Sequence, residues 1–251
     1  MLSQAGIDSF VRDGFVAVRG AVPEDVVREC QDEIWSALGT HGVRRDEPST
    51  WRDPVVRVPC PESPAFAAAG TRPVLWEAFD QLIGEGRWWR RQGVGGSIPV
   101  RFPSRADPGD AGWHIEGSFD QGGEWWVNHR SRERGLLALY LFSDVDEVSA
   151  PTRVRVGSHR DAARALRPSG DDGVPFGRAA YLAAHASVDR PTALVTGRAG
   201  DVFLCHPFLV HAASWPHTGH LPRILAQPGV AVHEPFPLVP PLSPVEIAIS
   251  G

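Results

Sequence analysis

Two histidines and one carboxylate are the side chains of this sequence best suited to hold a metal ion together. His114 and Glu116 are two positions apart, and side chains at i and i+2 of a strand point to the same face. His211 would add a second imidazole from a distant strand. Two histidines and one carboxylate on one face of Fe(II) leave positions open for a bidentate cosubstrate and dioxygen.

The pair His114/Glu116 is not specific by itself. Ten histidines and 30 acidic residues in 251 positions produce roughly one His-x-acid pair by chance. The sequence contains a second pair, His159/Asp161, at the start of an Ala/Arg/Leu-rich run. We expect Asp161 to cap a helix there and His159 to be a loop or cap residue. The alternative for His114/Glu116 is a pair of exposed strand residues that bind no metal. Other motifs in the sequence are needed to choose between these two interpretations.

Several short motifs follow one another over about residues 8 to 232, and no single one of them would be specific. They are Asp13-Gly14-Phe15, Trp113-His114-Ile115-Glu116-Gly117, Pro151-Thr152, Gly157-Ser158-His159, Gly200-Asp201, His206-Pro207 with His211, and Arg223. Together and in this order, they resemble the phytanoyl-CoA dioxygenase family of Fe(II)/2-oxoglutarate oxygenases.

The resemblance implies a mainly β fold with flanking helices around a double-stranded β-helix core of the jelly-roll or cupin-like type. It implies that His114, Glu116 and His211 are the metal ligands and the catalytic centre. It assigns Arg223 to the distal carboxylate of the cosubstrate, 2-oxoglutarate. His206 is the competing ligand, but the family pattern puts the ligand at the second histidine, twelve residues before the arginine.

The implied function is a non-haem iron dioxygenase that uses Fe(II), 2-oxoglutarate and dioxygen and oxidises a small organic molecule. We expect hydroxylation for this protein. Desaturation, epimerisation and cyclisation are as compatible with the family as hydroxylation is. One departure stands out, because most family members carry Asp where this sequence has Glu116. The longer side chain keeps the charge and the oxygen donor but puts the metal geometry in doubt.

Several further residues are candidates for the cosubstrate or the substrate. Thr152 and Ser214 each offer a hydroxyl to the carboxylate that Arg223 would bind. Arg101 lies on a predicted strand, where it either faces the cavity and meets an anionic substrate group or points outward. A planar guanidinium suits such groups because it donates two parallel hydrogen bonds.

Tryptophan pairs are a second feature of the candidate pocket. Trp125 and Trp126 follow two glycines and form either a pocket lid or buried packing, and only one of two adjacent strand residues can face the core. A second tryptophan pair is Trp88-Trp89. The neighbouring arginines are expected to be solvated, namely Arg87, Arg90 and Arg91.

Two other classes of function remain open at this stage. A zinc-dependent hydrolase uses similar His and carboxylate ligands to activate water. A non-catalytic binding protein would keep the fold without turnover. Arg223 favours the oxygenase over the hydrolase, because a hydrolase needs no carboxylate clamp.

The elements that must position these residues fall into two parts. The first third, residues 1–92, has helical spacing near 8–11, 23–39 and 74–83 and one strand at 15–18. From residue 93 to 232, short apolar runs between turn residues predict an antiparallel sandwich or barrel. The predicted strands are residues 98–102, 113–116, 136–142, 152–156, 193–196, 202–206 and 224–232. A helix and a Gly/Pro-rich loop near 160–190 interrupt them, and we expect one oxygenase domain over 1–251.

Composition narrows the possible partners. A net charge of −5 gives no basic surface for nucleic acid or anionic membranes, and no apolar run approaches a membrane span. All 25 cationic side chains are arginines, which excludes lysine Schiff-base chemistry. The three cysteines are widely spaced and fit a reducing cytoplasm. The expected partner is a small-molecule substrate, and the sequence does not specify the oligomeric state.

Overall fold

Short strands and flanking helices build a mainly β structure. The structure is a computed structural model that describes residues 1–251. The helices are α1 (Gln4–Asp13), α2 (Glu24–Gly39), α3 (Pro64–Gly70), α4 (Pro73–Ile83), α5 (Ser158–Leu166), α6 (Phe176–Ala186) and α7 (Pro244–Ser250). The strands are β1 (Phe15–Val18), β2 (Val55–Pro59), β3 (Ser97–Arg101), β4 (Phe119–Gln121), β5 (Glu124–Val127), β6 (Leu136–Leu141), β7 (Arg153–Arg155), β8 (Val174–Pro175), β9 (Thr192–Leu194), β10 (Val202–Cys205), β11 (His211–Ala212), β12 (Leu225–Ala226) and β13 (Gly229–Val230).

The largest sheet is antiparallel and is built around β6. Its strand order is β1-β10-β6-β12, and β13 also pairs with β6. All six residues of β6 are buried, which explains why this run reads as continuously apolar instead of alternating. Three smaller open sheets have the orders β11-β7-β9, β2-β3 and β4-β5-β8.

The two faces of β6 contribute to different hydrophobic clusters, as the two-residue period of a strand requires. Leu137, Leu139 and Leu141 belong to a cluster of 10 buried residues that also includes Val154 of β7, so this cluster joins the large sheet to the β11-β7-β9 sheet. The opposite face belongs to a cluster of 45 buried residues that includes Ile34 of α2 and many residues of the other helices.

Several boundaries differ from the sequence-based expectations. The segment 113–116 is not a ladder strand, because its backbone pairs only through the isolated bridge between His114 and His211. The predicted strand 224–232 is divided into β12 and β13 around Gln227-Pro228. The first helix begins at Gln4 with Ser3 as its N-cap, four residues before the expected start.

The first third is also less purely helical than expected. It contains a second strand, β2, that pairs with β3, and its first strand, β1, is an edge strand of the large sheet. The segment near 160–190 holds α6 and the short strand β8 in addition to the expected helix, which here is α5.

A glycine contact ties α3 to the loop that follows Trp89. A Cβ on Gly70 would overlap the backbone of Gly93. We expect Gly70→Ala to lower the free energy of unfolding by about 1–3 kcal/mol, the usual cost of overpacking, as measured by urea denaturation. Gly39→Ala is the matched control, because a Cβ there has no neighbour within 4 Å. Equal stability of the two variants would contradict this close approach.

None of the seven helices combines the length and the apolar character that a membrane crossing requires.

Candidate metal centre

The structure brings His114, Glu116 and His211 together. The backbones of His114 and His211 exchange N–H···O hydrogen bonds of 3.0 and 2.9 Å, which places the two residues opposite each other. Their ring centroids are 4.4 Å apart. Nε2 of His211 lies 3.3 Å from Oε1 of Glu116. One donor atom from each of the three residues lies within 4.8 Å of the others.

Backbone hydrogen bonds orient both imidazoles in the same way. Nδ1 of His114 donates to the carbonyl oxygen of Gly112 at 2.8 Å, and Nδ1 of His211 donates to that of Leu209 at 3.0 Å. A carbonyl oxygen only accepts, so each Nδ1 carries the proton. In the neutral imidazoles this leaves the lone pair on Nε2, the tautomer typical of metal-binding histidines held by a backbone carbonyl.

The electrostatics of these three side chains fit a bound cation. Burial opposes ionisation of Glu116, but the hydrogen bond with His211 and nearby positive charges together lower its pKa to about 2. Burial and the neighbouring His211 lower the pKa of His114, which favours its neutral form.

The distance between Nε2 of His211 and Oε1 of Glu116 also fits a bound metal ion. With the proton of His211 on Nδ1, the 3.3 Å contact between its Nε2 and Oε1 of Glu116 leaves a place for a proton or a metal ion between the two atoms. Adjacent ligands bound at about 2.1 Å each to one metal are about 3 Å apart, close to the Nε2–Oε1 distance. The donor set therefore suits a divalent first-row metal such as Fe(II).

Arg153 and Arg155 of β7 hold the loop that carries His114. Their guanidinium carbons lie 4.8 and 4.5 Å from the Trp113 ring, within cation–π distance. Nη2 of Arg153 also donates to the carbonyl oxygens of Ala111 at 3.1 Å and Ala213 at 3.0 Å. One side chain thus connects the two segments that carry the histidines. The sequence gives no sign of this role, because the contacts are long-range.

Arg134 is a second residue that sequence reasoning missed. Its Nε donates to the carbonyl oxygen of Gly117 at 2.8 Å, directly after Glu116. Its positive charge contributes to the low pKa of Glu116. Arg134 therefore supports the carboxylate both by position and by charge.

Arg223 is a buried cation without an acidic partner. The residue is 2% exposed, and its backbone pairs with that of Arg101. Nη1 donates to the carbonyl oxygen of Ala150 at 3.1 Å and to Oγ1 of Thr152 at 3.3 Å. Burial and the nearby Arg101 lower the pKa of Arg223 to about 9, so it is still charged at neutral pH. A carboxylate ligand would satisfy this charge.

The other polar candidates lie on the same side of the fold. Thr152 touches Arg223 directly, as described above. Ser214 donates its hydroxyl to the carbonyl oxygen of Pro151 at 2.5 Å. Arg101 is buried and forms an ion pair with Asp110, with an Nη2–Oδ2 distance of 2.6 Å. Asp110 also pairs with Arg57, so Arg101 shares its acidic partner, whereas Arg223 has none.

A cavity of about 420 Å³ opens beside Glu116, and its walls include Trp125, Phe176 and Arg134. The Phe176 ring lies 6.2 Å from the His114 ring, edge to face. Trp125 packs against Gly117, because a Cβ on that glycine would lie 2.8 Å from the Trp125 Cβ. Trp126, the next residue of β5, does not line this cavity.

The competing histidines lie elsewhere. His206 is buried against Phe10 and His159, its Nδ1 accepts from the Phe208 N–H, and its Nε2 lies 3.1 Å from the carbonyl oxygen of Val245. His159 contacts the carbonyl oxygen of Val11 at 3.2 Å.

Asp161 is not the N-cap of α5, contrary to expectation. Gly157 takes that position, and Asp161 lies in the first turn of the helix. There it forms ion pairs with Arg164 and Arg190. Gly157 has a left-handed backbone, which suits glycine and places the start of the helix at this residue. Asp161 lies four positions later, inside the helix, where its carboxylate cannot act as the N-cap.

Solved structures with a similar fold include proteins determined with 2-oxoglutarate or alpha ketoglutarate. The epimerase SnoN from nogalamycin biosynthesis, in complex with Fe³⁺, alpha ketoglutarate and nogalamycin RO, has a TM-score of 0.61 and 17% identity, with coverage of 91% of this chain and 82% of that chain. HygX from Streptomyces hygroscopicus, with nickel and 2-oxoglutarate bound, has a TM-score of 0.57 and 18% identity, with coverage of 92% and 87%.

EctD from S. alaskensis, with 2-oxoglutarate and 5-hydroxyectoine, has a TM-score of 0.56 and 21% identity, with coverage of 92% of this chain and 76% of that chain. At these identities the similarity shows a shared fold. No curated protein sequence matches this chain. The family model described as phytanoyl-CoA dioxygenase (PhyH) matches residues 10–224, which is most of the sequence. Because that match covers β1, β6 and β10 of the large sheet and all three clustered metal-ligand candidates, the chain belongs to the phytanoyl-CoA dioxygenase family.

Proposed function

We propose that this protein is an Fe(II)/2-oxoglutarate-dependent dioxygenase that hydroxylates or otherwise oxidises a small organic molecule. One observation carries the proposal: the donor atoms of His114, Glu116 and His211 converge, and a buried arginine without an acidic partner, Arg223, lies on the same fold. Family membership supports the same chemistry. The neighbours SnoN, HygX and EctD were solved with 2-oxoglutarate or alpha ketoglutarate, which supports the cosubstrate.

In this proposal His114, Glu116 and His211 hold the iron. When bound, iron with 2-oxoglutarate and dioxygen would supply the oxidising power, and the oxidative decarboxylation of 2-oxoglutarate would release CO2 and succinate. The carbonyl oxygens of Gly112 and Leu209 orient the two imidazoles so that Nε2 of each is free to bind the metal. The ionised Glu116 lowers the net positive charge of the centre.

Arg223 binds the distal carboxylate of 2-oxoglutarate through its planar guanidinium. Thr152 fixes one edge of that guanidinium by accepting from Nη1, and Ser214 offers a further hydroxyl nearby. Because Arg101 pairs with Asp110 and Arg223 has no acidic partner, Arg223 is the cation that needs an incoming carboxylate. A zinc hydrolase would leave this buried charge without a role.

The cavity beside Glu116 receives the substrate. Trp125 and Phe176 present aromatic surface there to the apolar part of the substrate. We assign Trp126 a packing role on the opposite face of β5, and Arg101 a supporting role next to Arg223. The cavity volume of about 420 Å³ matches a small organic molecule.

We further propose that residues 1–251 form one oxygenase domain with a double-stranded β-helix core. The cluster of 45 buried residues supports a single domain, because it runs from Phe10 to Ile249. The two stacked antiparallel sheets built on β6 and β7 support the core architecture. Three free cysteines support a cytoplasmic location.

Uncoupled turnover tests this function without knowledge of the substrate. Protein supplied with Fe(II), 2-oxoglutarate and dioxygen should form succinate slowly, and zinc in place of iron should abolish it. Succinate would be measured by mass spectrometry, with the His211→Ala protein as the control. If neither succinate nor 2-oxoglutarate binding is detected while a zinc-loaded sample hydrolyses esters, the hydrolase alternative would replace the oxygenase.

The unusual carboxylate ligand gives a separate prediction. Glu116→Asp should keep iron binding and measurable succinate formation, because charge and donor type are retained. Glu116→Ala should lose roughly tenfold or more in iron affinity, since ligand-site changes exceed typical losses at supporting residues. Iron titration of the three proteins measures this. Equal iron affinity in the native and Glu116→Ala proteins would show that Glu116 is not a ligand.

A further inference from the structure

Two arginines that line the cavity beside Glu116 form no ion pair with an acidic side chain. Arg91 and Arg134 both line this cavity. Arg91 was expected to be solvated, but it is half-buried because its guanidinium reaches back to the strand β13. Every hydrogen bond from these two side chains goes to an uncharged backbone oxygen.

Their bonding leaves several N–H groups free. Nε of Arg91 donates to the carbonyl oxygen of Gly93 at 3.1 Å, and its Nη1 donates to that of Gly229 at 2.8 Å. Arg134 uses only Nε, which bonds to Gly117 at 2.8 Å. Since each guanidinium carries five N–H donors, both terminal nitrogens of Arg134 and Nη2 of Arg91 remain available to a ligand.

The two guanidinium groups converge at one glycine. Arg91 bonds to the carbonyl oxygen of Gly229, and a Cβ on Gly229 would overlap Nη1 of Arg134 and lie 3.0 Å from its Cζ. The missing side chain lets both cations approach the same point of the wall. Such paired planar donors suit a carboxylate or a phosphate group.

The charges of the loaded centre leave these arginines uncompensated. Glu116 and 2-oxoglutarate together carry three negative charges, and a divalent metal with Arg223 carries three positive ones. Arg91 and Arg134 then add two positive charges to the wall of the cavity. Burial lowers the pKa of both, and Glu116 offsets this only in part for Arg134.

We propose that the substrate carries an anionic oxygen group, a carboxylate or a phosphate, that Arg91 and Arg134 bind together in the cavity beside Glu116. This inference rests on the oxygenase function proposed above. Trp125 and Phe176 then contact the apolar part of the same molecule. The two arginines determine specificity and are not metal ligands.

Matched probes test this charge preference directly. Benzoate and phenyl phosphate carry the proposed groups, and benzamide is an uncharged analogue of similar shape. Calorimetric titration of the native protein, metal-free and with Fe(II) and 2-oxoglutarate under argon, should give at least about tenfold tighter binding of one anion than of benzamide. The better anion identifies the group as carboxylate or phosphate.

Three variants assign the preference to this wall of the cavity. Arg91→Gln and Arg134→Gln should each weaken anion binding about tenfold and leave benzamide binding unchanged. Gly229→Ala keeps both charges but displaces Nη1 of Arg134, so it should also weaken anion binding. Arg132→Gln is the matched control, because it removes an exposed cation that is paired with Glu133.

Equal binding of the two anions and benzamide, or no binding of either anion, would overturn the proposal. Unchanged anion affinity in both arginine variants would do the same and would show that these side chains only fasten the backbone. The visible absorption of the Fe(II)–2-oxoglutarate complex is recorded on the same samples. If it is absent while the anion preference persists, the oxygenase function fails and the anion site does not.

Discussion

Replacing His211 with Ala is expected to abolish iron binding and all succinate formation. The imidazole supplies one of three protein donors, and the neighbouring backbone already fixes its tautomer. Loss of a residue that merely supports a ligand typically costs about 10–100-fold in metal affinity, so loss of the ligand itself should cost more. Anaerobic iron titration with metal analysis of the desalted protein measures the effect, and His114→Ala should behave alike.

Two histidine controls make this result specific. His220→Ala removes an exposed histidine and should leave iron binding intact. His206→Ala removes the buried competitor, which lies against Phe10 and His159, and should also leave it intact once circular dichroism confirms folding. If His206→Ala lost iron while His211→Ala kept it, the ligand assignment would be wrong.

Arg223→Ala is expected to weaken 2-oxoglutarate binding strongly without removing iron. Truncating one partner of a buried, charge-assisted bidentate contact costs about 2–5 kcal/mol. This corresponds to a loss of about 30-fold or more in affinity. Anaerobic titration of the Fe(II) protein with 2-oxoglutarate, followed by its charge-transfer absorption, measures the change. Iron affinity should stay the same, because Arg223 is not among the converging donors.

The conservative variant separates charge from geometry. Arg223→Lys should restore only part of the affinity, since an ammonium group lacks the planar pair of donors. Arg105→Ala removes an exposed arginine and serves as the control. An unchanged 2-oxoglutarate affinity in Arg223→Ala would show that Arg223 does not bind the distal carboxylate and would favour the hydrolase alternative.

Local sequence signals predicted several elements correctly. Pro23 and the following acids mark the start of α2, and Gly84 follows the end of α4, as expected from helix-terminus preferences. The apolar run 136–142 identified β6, the buried centre of the large sheet. The family assignment from the order of motifs is confirmed by the match over residues 10–224.

Long-range contacts account for what the sequence did not predict. The segment 113–116 does not form a ladder strand, because its partner segment meets it at a single residue pair. The positioning of Trp113 by Arg153 and Arg155 depends on side chains some forty residues away. Arg91 looks like a surface residue in a run of polar neighbours, and only the fold shows that it reaches Gly229.

A crystal structure of the protein grown anaerobically with Fe(II) and 2-oxoglutarate tests the central claim most directly. The account predicts one iron bound by His114, Glu116 and His211, chelated by 2-oxoglutarate whose distal carboxylate lies on Arg223. Iron bound at other residues, or 2-oxoglutarate held away from Arg223, would contradict it.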